Sequence, residues 1–404
     1  MPHQARKNVR DTASKIAGYT ARLSAELRDM REAVYPPEAR KIFGKTFSTI
    51  DLARLLGVPE STLRQLTIEG KGPVPERAEN NRRTYSVEQV KELRAFLASL
   101  RPDEAARLLP NRRASEKLQV IATVNFKGGS SKTTTSIHLA HFLGIQGYRV
   151  LCIDLDPQAS MTALFGLQPE FDLGENETAY AAIRYDNERR AFADVIRSTY
   201  FPGVDLVPGN LELMDFEFDT PTYLGSKSRD ELGLFFERMR IAIDSVGENY
   251  DFVIIDTPPS LGYSTLAALY AATALIVTVH PAMLDVASCN QFLIMISDLS
   301  EVLAQFGAHF EHDFFRFLLT RVNPNDGPQK YMAGVMRRLF GEDVLVAEAL
   351  ESTAIAGAAV AKKSLYELEA GEVGREALRR AVESADRVNF EILGLAHQVW
   401  GRSA

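Results

Sequence analysis

Residues 118–140 read LQVIATVNFKGGSSKTTTSIHLA, and the rest of the chain is placed most easily relative to this stretch. Residues 119–125 are β-branched and apolar, long enough for a buried strand, and an apolar helical pattern starts at Ile137. Between them lie Gly128, Gly129, Ser130, Ser131, Lys132, Thr133 and Thr134. A strand, a glycine-rich turn and a helix in that order build a phosphate cradle. Glycine lets the backbone turn its N–H groups toward one centre, and the helix adds the positive end of its dipole. In such a cradle Lys132 reaches the outer phosphates and the Thr133 hydroxyl ligates magnesium. The expectation is a site for a phosphate chain with Mg2+.

The ordinary phosphate-loop spacing, GxxxxGK[ST], does not fit, because it calls for glycine where the chain has Phe126 and Ser131. What fits is KGGxxK[ST][ST], running from Lys127 to Thr134. This pattern resembles the deviant Walker A loop of the ParA/MinD family of ATPases. The resemblance implies that residues 127–134 wrap the nucleotide and that Lys127 reaches across a dimer interface to the partner's nucleotide. Most members carry glycine where this chain has Ser131; a serine fits if the backbone there is not left-handed.

From residue 118 onward strands and helices alternate, the pattern of an α/β, doubly wound parallel sheet. A second buried strand, YRVLCIDL at 148–155, leads into Asp154-Leu155-Asp156-Pro157-Gln158, at the strand end where open α/β sheets bind ligands. The resemblance implies that Asp156 orients or activates the attacking water and that Asp154 lies near the magnesium. The strand YDFVIIDTPP at 250–259 ends in Asp256, a Walker B arrangement whose carboxylate holds magnesium directly or through water. Residues 274–279 and 314–320 supply two more core strands. After the latter, the resemblance points to Asn323 first and Arg321 second as neighbours of the adenine. It also marks Lys362, Lys363, Arg379 and Arg380 as candidates for non-specific DNA contacts. The acidic, turn-rich stretch 169–219 reads as an insertion with no chemistry assigned.

Ahead of this body, residues 13–34 carry Ile16, Tyr19, Leu23, Leu27, Met30 and Val34 at helical spacing, and Pro36 and Pro37 end the pattern. Such a stripe suits packing on its own domain or pairing with a second chain, and both readings stay open. Ser48 is placed to cap a helix through Leu56, Gly57-Val58-Pro59 makes a turn, and a second helix opens at Glu60. This is the helix-turn-helix pattern, with Arg64 and Gln65 as candidates for base edges and Ser61 and Thr62 for phosphates. ENNRRTY at 79–85, with Arg82 and Arg83, resembles the basic wing of a MerR-like winged helix. A small helical protein-interaction domain is the competing reading. The expected domains are an N-terminal helix (1–45), a winged helix-turn-helix (46–100), a polar linker (101–117) and the ATPase (118–404).

Charge supports that division. Residues 1–117 hold 23 Lys+Arg against 15 Asp+Glu, whereas the whole chain has a net charge of -7, so a basic front end precedes an acidic body. No apolar run reaches the length of a membrane span, and the opening has no secretory core, which points to the cytoplasm. The two cysteines, Cys152 and Cys289, lie too far apart in sequence for a clustered metal or iron–sulfur site. A membrane-cycling relative needs a terminal amphipathic anchor rich in cations, and LAHQVWGRSA has few.

The three ATPase motifs in family order, behind a winged helix-turn-helix, resemble the larger ParA type. That resemblance implies a cytoplasmic, nucleoid-associated plasmid-partition ATPase. It would dimerise with ATP, bind operator and non-specific DNA, and repress its own operon. A centromere-binding ParB-like partner would stimulate its slow hydrolysis. A nucleotide-sensing repressor without a transport role is the alternative.

Overall fold

The computed structural model describes residues 2–34, 41–77, 82–225 and 233–402. They divide into two units, residues 1–42 and 43–404. The first holds one helix, α1 (Pro2–Val34). It begins earlier than the apolar stripe predicts, since nothing between Pro2 and Ala13 breaks a helix and proline is tolerated in a first turn. Ile16, Tyr19, Leu23 and Leu27 are all exposed. Side chains of Met30 and Val34 lie outside the described residues.

The second unit opens with a small winged module. Its elements are β1 (Phe47–Ser48), α2 (Thr49–Leu56), α3 (Glu60–Ile68), β2 (Glu76–Arg77), β3 (Arg83–Tyr85) and α4 (Val87–Leu100). Ser48 and Asp51 form a reciprocal capping box at the start of α2, and Ser86 and Gln89 form another at α4. Gly57, left-handed at φ 60°, ends α2. β3 lies between β1 and β2, both antiparallel to it. Leu52, Leu63, Val90, Leu93 and Leu97 close the core. The tip of the expected wing, residues 79–81, lies outside the described residues.

Residues 101–117 are an ordered strap rather than a bare linker. Buried carboxylates explain this: Asp251 accepts from Arg112 N at 2.9 Å and Asn111 Nδ2 at 2.8 Å. Glu116 accepts from Arg113 N at 2.6 Å and from Arg402 Nη2 at 2.7 Å. Each buried acid must find donors, and the strap supplies them.

Among the described residues, the body is one eight-stranded sheet. Its strands are β4 (Gln119–Val124), β5 (Val150–Asp154), β6 (Arg197–Ser198), β7 (Val204–Val207), β8 (Phe252–Asp256), β9 (Ala274–Val279), β10 (Phe314–Val322) and β11 (Ala349–Leu350). They lie in the order β11-β10-β9-β4-β8-β5-β7-β6, and only β6 runs antiparallel to its neighbour. The six residues of β4 are all buried, as a strand covered on both faces requires. The helices used below are α5 (Lys132–Gln146), α6 (Leu213–Gly225), α7 (Tyr263–Ala271), α8 (Met283–Gln305), α9 (Thr353–Val360) and α10 (Arg375–Val399). Residues of α5 and α10 share one core with one face of the sheet; α6, α7 and α8 contribute to the core on the other face. Phe252 stands between Tyr148 and Trp400, with ring centroids at 5.0 and 5.1 Å. Truncating such a ring to alanine costs about 3–5 kcal/mol.

The winged module joins this body through Phe43, whose ring meets Phe201 at 4.4 Å; Arg94 of α4 ties the module to the strap, donating to Leu108 O at 3.3 Å.

Candidate nucleotide site

β4 stops at Val124, and the chain turns through residues 125–131 before α5 begins at Lys132. Asn125 anchors the turn: its Oδ1 accepts from Lys127 N at 2.9 Å, and its side-chain amide donates to Thr278 O on β9. Ser130 is held from beneath, its Oγ accepting from Thr278 Oγ1 and its carbonyl from Thr320 Oγ1, both at 3.1 Å. Gly128 and Gly129 are exposed, and a Cβ at either would meet nothing within 4 Å. Gly129 adopts φ 75°, which glycine reaches without strain. The result is an open backbone loop at the positive end of a fifteen-residue helix, the arrangement an anionic phosphate chain needs.

Ser131 departs from the sequence expectation. It is left-handed, at φ 72° and ψ 25°, although it carries a Cβ. Ala159, in the turn after Asp156, and Arg321, at the end of β10, are also left-handed non-glycine residues. Each such residue carries about 1–3 kcal/mol of strain.

Hydroxyl and carboxylate oxygens gather beneath the loop. Thr133 Oγ1 donates to Asp256 Oδ2 at 2.6 Å, and Ser136 Oγ donates to Asp256 Oδ1 at 3.3 Å. Thr123 Oγ1 is 3.4 Å from the same oxygen. Burial, then the neighbouring Asp154, push the Asp256 carboxyl up to about 7. A buried carboxylate beside a hydroxyl is a hard-oxygen donor pair, and it suits a hard divalent cation such as Mg2+. The parallel pairing of β5 with β8 puts Asp154 directly beside Asp256. Asp154, however, is engaged on both oxygens: Oδ2 accepts from Thr162 N at 2.8 Å and Thr162 Oγ1 at 2.7 Å, and Oδ1 from Asp156 N at 3.2 Å. Its role in this arrangement is to hold the turn that carries Asp156. Asp156 accepts from Gln158 N at 2.9 Å, and burial raises its carboxyl.

The two lysines are placed differently. Lys132 is buried, which lowers its ammonium pKa against the pull of Asp256 and Asp156, and its Nζ lies 3.5 Å from Lys127 O. Lys127 is part-exposed and pairs with Asp285, at the start of α8, at 2.6 Å. The sequence reading did not single out Asp285; its signal was an acidic residue shortly after the end of β9.

A cavity of about 320 Å³ adjoins the loop, lined by Ser131, Thr134, His138, Arg321, Ser352 and Asn389 among others, and walled by alanines of α9 and α10. Thr134 and Arg321 therefore reach it. Asn323 does not line it: its Oδ1 accepts from Asn325 N at 2.9 Å and closes a turn instead.

On the winged module, Ser61, Arg64 and Gln65 are exposed on α3, and Thr62 is half-buried. Arg64 leans on Glu60 at 2.6 Å and Gln65 on Glu69 at 2.8 Å, both on their own helix. Arg82 is exposed and Arg83 half-buried beside the wing strand. Tyr85 at the end of that strand meets Thr67 of α3 at 3.3 Å, which ties wing to helix. Near the C-terminus, Lys363 pairs with Glu372 at 2.7 Å, Arg379 with Glu383 at 2.7 Å and Arg380 with Glu376 at 3.9 Å. Local acids offset these charges, which weakens their case as a DNA-binding surface. Among the described residues, no helix is long and apolar enough to cross a membrane.

Comparison with known proteins gives two family matches. Residues 118–306 match the AAA domain family model, and residues 47–100 match the MerR HTH family of regulatory proteins. A candidate replication protein A of Sinorhizobium fredii is 46% identical over 94% of this chain and 93% of its own length. Another from Rhizobium rhizogenes is 46% identical over 98% of this chain and 99% of its own length. SopA of Escherichia coli K12 is 30% identical over 82% of each chain. Among solved structures, a partition protein superposes with a TM-score of 0.63 at 21% identity, covering 94% of this chain and 98% of its own. An ATP complex of a Cyanothece McdA variant superposes at 0.55 and 17% identity, over 72% of this chain and 99% of its own. At these identities the two structures speak for the fold alone.

Proposed function

Because the chain belongs to the ParA family of plasmid-partition ATPases, in its replication protein A branch, we propose that it is an ATP-driven partition switch that also reads DNA. The observation that carries this reading is the contact of Thr133 with Asp256 at the mouth of an open, glycine-lined loop. ATP lies with its phosphates on the backbone N–H groups of residues 127–134 and its nucleoside toward the cavity that Thr134 and Arg321 line. Thr133 and Asp256 would hold Mg2+, which would supply positive charge to offset that of the terminal phosphates. Lys132 neutralises those phosphates, and its burial keeps water from screening the charge. Asp156, held at the rim of the site by Asp154 and Gln158, orients the attacking water.

Lys127 acts in trans. In the single chain Asp285 holds it, and a homodimer forms when it leaves Asp285 for the partner's nucleotide. The exposed stripe of α1 suits a second, nucleotide-independent contact between copies. The winged module reads an operator through Arg64 and Gln65, backed by phosphate contacts from Ser61, Thr62, Arg82 and Arg83. A ParB-like centromere-binding partner raises a slow basal rate. On this reading the protein works in the cytoplasm, on the nucleoid.

ATP turnover with and without DNA and the partner protein, for wild type and Lys127→Gln, tests this reading. A slow rate that the partner stimulates and the variant loses supports the switch. ATP binding without hydrolysis under every condition would leave a nucleotide-sensing repressor.

A further inference from the structure

The segment after Asp256 must stay in place while the metal-holding carboxylate works, and its two ends are tied differently. At the near end, Thr257 Oγ1 donates to Thr123 O at 2.7 Å, which fixes the loop to β4. At the far end, the loop enters α7 at Gly262, and there the holding group comes from outside the motif. Glu217, on α6, accepts from Tyr263 N at 2.7 Å through Oε2. Its Oε1 accepts from Ser264 N at 2.9 Å and Ser264 Oγ at 2.6 Å. One carboxylate thus satisfies two of the N–H groups that a helix start leaves without partners, and it sits at the positive end of the helix. The approach is close: a Cβ on Gly262 would lie 2.5 Å from both oxygens, so any side chain there would displace the carboxylate.

The helix that carries Glu217 is itself well anchored. Leu213, Phe216 and Thr220 are buried, and Asp219 accepts from Tyr180 Oη at 2.6 Å. α6 begins inside the 169–219 stretch to which the sequence assigned no chemistry, and Glu217 lies within it, so that region now has a candidate task.

We propose that Glu217 is a positioning residue for ATP hydrolysis, fixing the far end of the 257–262 loop so that Asp256 keeps its geometry during turnover. This rests on the ATPase reading above and deepens it. Glu217 bonds Tyr263 and Ser264 rather than Thr133 or Asp256, so its effect passes through the loop. A positioning role separates from a merely stabilising cap in two readouts. The first is the split between kcat and KM. The second is the protection from amide exchange that residues 257–264 gain on binding Mg2+ and ATP.

The experiment uses the full chain with Glu217→Gln, which keeps the volume and one acceptor, and with Gly262→Ala, which drives the carboxylate away without removing it. For both variants we expect kcat to fall about tenfold, KM for ATP to stay within about twofold, and the ligand-induced protection to be lost. Wild-type kcat with unchanged protection overturns the proposal, as does a raised KM at unchanged kcat. If the wild type itself turns over no ATP, the partition reading fails separately and exchange alone decides: equal protection in wild type and both variants overturns the role of Glu217, and its loss in both upholds it.

Discussion

Lys127 Nζ lies 2.6 Å from Asp285 Oδ2, so the lysine expected to act in a partner's site is held within its own chain. The pair is unevenly exposed, 40% for the lysine side chain and 11% for the carboxylate, so the acid is the fixed member and the lysine the movable one. With its lysine open to water, the pair is worth on the order of 1 kcal/mol, small enough for a nucleotide to compete with. Asp285→Ala is expected to free Lys127 and lower the ATP concentration needed for dimerisation by up to about fivefold, the factor that about 1 kcal/mol allows. Sedimentation at graded ATP checks this, and an unchanged midpoint would mean that the pair does not hold the monomer.

Thr133→Val removes one oxygen of the donor pair and keeps the volume. Nucleotide binding in EDTA should be little changed, while the gain in affinity on adding Mg2+ falls about tenfold, roughly 1.4 kcal/mol. Titration calorimetry with and without the metal reads the difference.

Ser131 sits at φ 72°. A side chain there costs about 1–2 kcal/mol. Glycine removes that cost but adds about 0.5–1 kcal/mol of backbone entropy to the unfolded chain. Ser131→Gly should therefore leave stability level or raise it by about 1 kcal/mol, and Ser131→Val, β-branched at a positive φ, should lower it. Urea unfolding of the three proteins ranks them.

Arg64→Ala and Gln65→Ala should each cost about 1–3 kcal/mol in operator binding and relax its sequence preference, with ATP turnover unchanged. Arg83→Ala should weaken binding to all sequences alike and reduce the salt slope by about one. Competition binding at several salt concentrations separates the two behaviours. A uniform loss for Arg64→Ala would remove it from the base-reading set.

Burial pushes the His138 ring down to about 4 from the usual 6.5, and its Nε2 accepts from Leu365 N at 3.0 Å, which requires the unprotonated ring. Between those values the unfolded chain takes up a proton that the folded chain refuses. The stability this residue contributes is therefore whole above pH 6.5 and falls as the pH drops toward 4, by at most about 1.4 kcal/mol per pH unit. Wild type should lose more stability than His138→Gln between pH 7 and 5, as urea midpoints will report; parallel losses would mean that the ring already takes up its proton in the fold.

Local chemistry made much of this protein legible in its sequence. The run at 119–124, the glycine pair, Lys132 and Thr133 specify strand, turn and helix within a few residues of one another, and Asp256 ends a strand too apolar to be anything but buried. Ser48 and Ser86 announce helix starts because a cap needs only a side chain and the amides three residues on. Contacts between distant segments were decided by the tertiary structure alone. Sheet order brings Asp285 to Lys127 across 158 residues and Glu217 to Ser264 across 47, separations that no periodicity encodes. The left-handed backbone of Ser131 and the engagement of Asp154 by Thr162 likewise depend on how the strands stack. The same holds for the strap at 101–117, whose polar composition reads as a linker until Asp251 and Glu116, buried by the fold, require its amides as donors.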